Sequence, residues 1–150
     1  MIFMGTKEQI ENDMKDAMRA KDDLRKRTLR MVLSAIKLKE VEKRQALDET
    51  ETLAVIQKEV KSRQETIVDA ERANRPEQVA ESQAEINILE AYLPEPLTPE
   101  ELETFAKEAI EEVGATSMRE MGQVMKVLIP RLEGRATGSE ASQTVRKLLG

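Results

Sequence analysis

Three of the chain's five prolines crowd into one short stretch, Leu93-Pro94-Glu95-Pro96-Leu97-Thr98-Pro99. No helix runs through it, because each proline lacks an N–H and holds the residue before it extended. On either side, apolar residues recur with the helical period, and no run alternates as a strand does. The pattern predicts an all-α protein in two parts. The first is an N-terminal four-helix domain over residues 1–93, containing a long antiparallel helical hairpin. The second, over 94–150, is the linker followed by a small three-helix bundle.

Local signals place the helices. Thr6 and Gln9 have capping-box spacing before a first helix over about 7–20. Asp22 or Asp23 opens a second, over about 23–44. At about 100° per residue, Leu29, Val32, Leu33 and Ile36 share one face of it, with Leu24, Met31, Ala35 and Leu38 beside them. So wide an apolar arc predicts packing on more than one side. Asp48 and Glu51 cap a third helix over about 49–73. Its narrow stripe of Leu53, Ile56, Val60, Ile67 and Ala70 is interrupted by Arg63, with coiled-coil spacing. Asn74-Arg75-Pro76 turns the chain into a fourth helix carrying Val79, Ser82, Ile86, Leu89 and Leu93. In the tail, Thr98-Pro99-Glu100-Glu101 is a strong start signal and Gly114 a stop. Ser117 and Glu120 open the next helix, ended by Pro130, and Ser139 opens the last.

Composition narrows the chemistry. With no Cys and no His among 150 residues, disulfides, zinc fingers, thiol nucleophiles and Ser–His–Asp triads are impossible within the chain. No cofactor or metal site is expected. Seryl chemistry would need a positioned lysine. Ser34 with Lys37, and Ser62 with Lys58 or Lys61, have helical spacing, but a charge-rich helical chain supplies such pairs by chance. Glu59 and Glu85 can face one another across the hairpin without any metal-binding signature. No apolar run is long enough to span a membrane, so no membrane partner is expected. Met1 to Met4 make no signal peptide, and a cytoplasmic protein is expected.

The net charge of −5 hides local structure. Residues 15–44 hold 11 Lys and Arg against 5 Asp and Glu, whereas residues 48–95 hold 5 against 12. Residues 121–150 turn basic again, with 5 against 2. On the second helix Lys26, Arg30, Lys37 and Arg44 fall within a sector of about 40°, opposite the apolar arc. Such a row can follow a phosphate backbone, or can be an ordinary solvated face. In the tail, Lys126, Arg131, Arg135, Arg146 and Lys147 surround Gly134-Arg135-Ala136-Thr137-Gly138. Glycines there allow close approach of a phosphate, or simply make a helix–helix turn.

Several segments carry a family resemblance: Arg30-Met31-Val32-Leu33-Ser34-Ala35-Ile36-Lys37, Glu59-Val60-Lys61-Ser62-Arg63-Gln64-Glu65-Thr66-Ile67, Glu85-Ile86-Asn87-Ile88-Leu89-Glu90-Ala91-Tyr92-Leu93-Pro94, and in the tail Gly114 to Met125 and Gly134 to Gly138. In this order they resemble the stand-alone members of the GatB/YqeY family. The resemblance implies a helical N-terminal domain and a helical tail. It relates that tail to the one that helps hold tRNA in the B subunit of the glutamine-dependent aspartyl/glutamyl-tRNA amidotransferase. It also implies the family's description as a carbon–nitrogen ligase with glutamine as amido-N-donor. The chain has no amidase-type Ser–Ser–Lys setting and no kinase-like nucleotide site.

Three functions follow as expectations. The leading one is a tRNA-associated accessory protein, non-catalytic alone, contacting tRNA through Arg135 first and then Arg131, Lys126, Arg146 and Lys147, with Lys26, Arg30, Lys37 and Arg44 as a second stripe. The second is a component of a carbon–nitrogen ligase that acts with amidotransferase or other translation-related proteins. The third is a protein–protein adaptor.

Overall fold

The computed structural model describes residues 4–150. The reading of the first residues as lacking a signal peptide falls mainly on 1–3, outside the described residues. Among the described residues there are seven α-helices and no strand, so the protein is all-α. The chain divides into two compact units, one ending at Leu93 and one beginning at Pro94.

The first unit holds α1 (Thr6–Arg19), α2 (Asp23–Lys43), α3 (Glu49–Arg72) and α4 (Pro76–Glu90). Asp22 accepts the Arg25 N–H and caps α2. Asp48 and Glu51 form a reciprocal capping box at α3, as their spacing predicts. The Thr6–Gln9 box does not form. Gly5 is the N-cap and makes no side-chain cap, because both the Thr6 N–H and its hydroxyl donate to the Glu49 carboxylate. The α3–α4 turn passes through Asn74 at φ 55°, in the left-handed region that Asn tolerates better than most residues.

Ile10, Leu29, Val32, Ile36, Leu53, Ile56, Val60, Ile86 and Leu89 form this unit's core. Within it, α2 is packed on one side only: Met31 and Leu38 stay 50% and 62% exposed. The wide apolar arc is therefore half covered, contrary to expectation, because α1 and the hairpin reach the same side of the helix. Arg63, the break in the α3 stripe, is nevertheless buried. Its Nε donates to Glu85 at 2.7 Å and its Nη1 to Glu59 at 2.8 Å, so Glu59 and Glu85 do meet across the hairpin, with Arg63 between them. Near the end of the unit the Tyr92 hydroxyl donates to Asp13 of α1 at 2.5 Å.

The second unit holds α5 (Pro99–Val113), a 3-10 turn (Met118–Glu120), α6 (Met121–Leu132) and α7 (Gly138–Leu149). Thr98 and Glu101 form the predicted capping box, and Gly114 ends α5 at φ 74°. Three boundaries differ from expectation. Ser117 makes no side-chain cap and opens only the 3-10 turn, so α6 itself starts at Met121. Pro130 lies inside α6. It frees one carbonyl near the helix end, while Leu128 and Leu132, both buried, hold the turns around it. The cap of α7 is Thr137, whose side chain accepts the Glu140 N–H, so Ser139 lies within the first turn. Leu102, Ala106, Ala109, Val124, Leu128, Leu132, Ala141 and Val145 close the core, joined by Leu97 from the proline stretch.

Candidate nucleic-acid interface

In the tail unit the cations split into two kinds. Val124, Leu128 and Leu132 turn α6 inward. Lys126, about 200° around the helix from Val124, is exposed and makes no ion pair among the described residues. Arg131 is different: its guanidinium pairs with Glu112 of α5. Arg135 follows the left-handed pair Glu133 and Gly134 and is the most heavily engaged of the five. Its Nε donates to the Glu95 carbonyl at 2.9 Å. Its Nη2 lies 3.8 Å from the Glu101 carboxylate. Its own carbonyl accepts the Leu97 N–H at 2.9 Å.

Glu101 titrates below the usual carboxylate range, first because the Thr98 N–H donates to it, then through the Thr98 hydroxyl, with Arg135 adding a smaller attraction. Arg135 thus ties the α6–α7 connection to the proline stretch. The Gly134–Gly138 segment is a helix–helix turn, and its cation has internal partners.

Arg146 and Lys147 stand in the last turn of α7, where cations also favour the helix dipole. Neither makes an ion pair among the described residues. Lys147 borders a groove of about 560 Å³ lined also by Leu97, Leu102, Glu103, Glu140 and Thr144, whose carboxylates make it a poor anion pocket. The helical step puts Lys126 and Arg131 about 140° apart on α6, and Arg146 and Lys147 about 100° apart on α7. Neither pair therefore shares one face of its helix. Three of the five face solvent unpaired.

The row on α2 is more uniform. Lys26, Arg30 and Lys37, with Arg44 as the left-handed C-cap at φ 61°, make no ion pair among the described residues. The neighbouring cations do the pairing: Arg25 lies 3.7 Å from Asp13, Arg27 meets Glu81 and Glu85, and Lys43 meets Glu51. The acidic hairpin is therefore served by Arg27, Lys43 and Arg63, leaving the row free. The Arg63 cluster is what sequence reasoning missed. Its signal was an arginine on an apolar stripe with carboxylates four residues before it and on the facing helix.

No group of three or more Asp and Glu side chains among the described residues is arranged to hold a metal ion. No helix there is long and apolar enough to cross a membrane. Ser34 and Ser62 lie exposed on helix surfaces.

Fold and site together define an all-helical, two-unit protein whose surface chemistry is charge. The chain belongs to the YqeY-like protein family, which it matches over residues 7–149. Similar curated proteins are fungal ones named "Altered inheritance of mitochondria protein 41, mitochondrial". The one from Vanderwaltozyma polyspora is 31% identical over 75% of this chain and 64% of its own length. That from Lachancea thermotolerans is 35% identical over 70% of this chain and 57% of its own. That from Pyrenophora tritici-repentis is 28% identical over 95% and 80%. The chain thus spans about 64% of the first relative's length. These names overturn the expectation of a cytoplasmic protein: that inference rested on lacking a targeting pattern, and the relatives are named for mitochondria.

Proposed function

We propose that this chain is a tRNA-associated accessory protein, non-catalytic by itself, which holds tRNA as the resemblance implies for the tail of the amidotransferase B subunit. The observation that carries the reading is the set of tail cations with no carboxylate partner: Lys126, Arg146 and Lys147. An unpaired cation meets a phosphate without first giving up an internal partner, and each contact releases condensed counterions. Arg131 and Arg135 would have to leave Glu112 and Glu95, so they rank below the other three. In this reading residues 1–93 and 94–150 are separately folding domains, with the second as the RNA-holding one. For relatives named as mitochondrial, the same role would fall in that compartment.

The test is tRNA binding by the purified chain across a salt series. Binding should weaken steeply with salt, and each of Lys126→Glu and Lys147→Glu should reduce the salt slope by about 1. Arg135→Glu should instead lower the stability of the tail, because it removes the tie to Glu95. No binding at low salt, or full binding by a folded Lys126→Glu/Arg146→Glu/Lys147→Glu variant, overturns the proposal. Given glutamine, ATP, magnesium and misacylated tRNA, the chain alone should form no amidated product. Sustained turnover would favour the ligase-component reading.

A further inference from the structure

Large apolar side chains exposed one at a time are ordinary on a folded surface. Met4, Met18, Val68 and Met118 are of that kind, each on a separate segment. Met31, Leu38 and Val41 are not. They are 50%, 62% and 66% exposed, and all three lie on α2. With Ser34, also exposed, they follow the spacings 3, 4, 3. That is the repeat of a coiled-coil seam, in which alternate first and fourth heptad positions face a partner helix. The core side of α2, carrying Leu29, Val32 and Ile36, is fully covered; Leu38 and Val41 lie on the other side, and Met31, whose sulfur is 3.8 Å from Arg63 Nη2, joins them from the edge of the packed face with half of its surface exposed.

The flank of the seam says what would cover it. Arg30, Lys37 and Arg44 recur every seven residues, the position beside the seam that reaches across to a partner's side chains. All three are exposed, and none has an ion-pair partner among the described residues. Charge at the flanking positions selects partner and orientation. A second copy docking antiparallel through the same seam would set the two cationic rows against each other. Docking parallel would offer those rows only Ala35 and Glu42. Neither matches three cations. The charge complement is a helix with carboxylates flanking an apolar seam.

We propose that the outer face of α2 is a docking site for an amphipathic helix of a partner protein, whose apolar seam covers Met31, Leu38 and Val41 while its acidic flank pairs with Arg30, Lys37 and Arg44. The span from Arg30 to Arg44 is about 21 Å of helix, so the partner segment needs four turns. This site belongs to the first unit and the cations assigned to tRNA to the second, so it does not depend on that assignment.

The test uses two synthetic 21-residue helical peptides with the same leucine seam, one flanked by glutamates and one by lysines, titrated into the full-length protein. The glutamate peptide should bind at least tenfold tighter than the lysine peptide, with NMR shifts concentrated on α2. Arg30→Glu/Lys37→Glu/Arg44→Glu should reverse that preference. Leu38→Ser/Val41→Ser should weaken both peptides at least tenfold with helicity unchanged, since these side chains lie outside the core. tRNA binding should be the same in all these variants. The proposal is overturned if neither peptide binds, if both bind equally, or if the charge reversal does not change the preference. It is also overturned if the seam serves self-association abolished by Leu38→Ser. A tenfold loss of tRNA binding in the triple-glutamate variant with none in Leu38→Ser/Val41→Ser assigns the row to RNA and overturns it as well.

Discussion

The two units solve the same problem, burying helices around a core, with different materials. The buried polar residues of the described chain are Thr28, Thr52, Arg63 and Ser82, and all four belong to the first unit. The tail core is apolar throughout, with its polar groups confined to caps and rim. Long helices with narrow seams slide easily, since one seam position looks much like the next. A buried arginine held by carboxylates of α3 and α4 adds a directional contact that favours one register over the others. The tail's helices are short and sharply capped, so their ends already determine where they meet. Directional contacts appear where apolar packing alone leaves the alignment open.

Removing the directional element should have the largest effect. Arg63→Ala leaves Glu59 and Glu85 facing one another with only Arg27, 3.8 Å from Glu85, as counter-charge, and should cost about 3–5 kcal/mol in chemical denaturation. A loss below about 1 kcal/mol would mean that the apolar seam alone holds the hairpin, and the comparison would fail. The matching change in the tail is Leu128→Ala, in a site with no exposure, expected to cost about 3 kcal/mol. Its effect should be confined to residues 94–150 by amide exchange. Loss of protection in α1 to α4 as well would show that the units unfold as one.

Thr98→Ala and Thr137→Ala each remove a side chain that accepts a first-turn N–H, and each should cost about 1 kcal/mol of thermal stability. If they cost no more than an exposed ion pair such as Lys107–Glu103, caps do not organise the tail. The smallest effect separates the units by pH. Burial first, then the bond to Asp13, raises the Tyr92 hydroxyl above its ordinary value of 10.0. The folded unit keeps that proton while the unfolded chain releases it, so stability falls as pH rises beyond about 10. Tyr92 is the only tyrosine, so Tyr92→Phe should flatten this slope in the first unit and leave the tail unchanged. On the acid side both units weaken. Glu40 and Glu51 in the first, and Glu101 in the second, are held below the ordinary carboxylate value of 4.5 by hydrogen bonds to their charged forms, so their contribution is present above that value and is lost as pH falls below it through the lowered folded-state value.

What was legible in the residues was what is local. The boxes at Asp48–Glu51 and Thr98–Glu101, the proline at the start of α4 and Gly114 all act within one turn. What was not legible depended on distant neighbours. Thr6 has the same credentials as Thr98, yet Glu49 claims its donors from 43 residues away. Ser139 is by type the better cap, yet it is Thr137 that accepts the Glu140 N–H. The cations of the candidate interface were all visible, but their availability was not. Arg131 and Arg135 are taken up by Glu112 and Glu95, 19 and 40 residues away, whereas Lys126 is left alone. A helical wheel shows which way a residue points without showing what comes to meet it.

The bond from Tyr92 to Asp13 spans 79 positions of chain, and that separation has a consequence in time. A ribosome adding about 5–20 residues per second makes Asp13 roughly 4–16 seconds before its partner exists, and still longer before Tyr92 clears the exit tunnel. During that interval α1 can lean on α2, made next, and then on the start of α3 through Glu49, while the contact from the end of the unit is still missing. The first unit is closed by nearly its last residue, so the nascent chain passes through a stage in which most of its helices are made and the unit is still open.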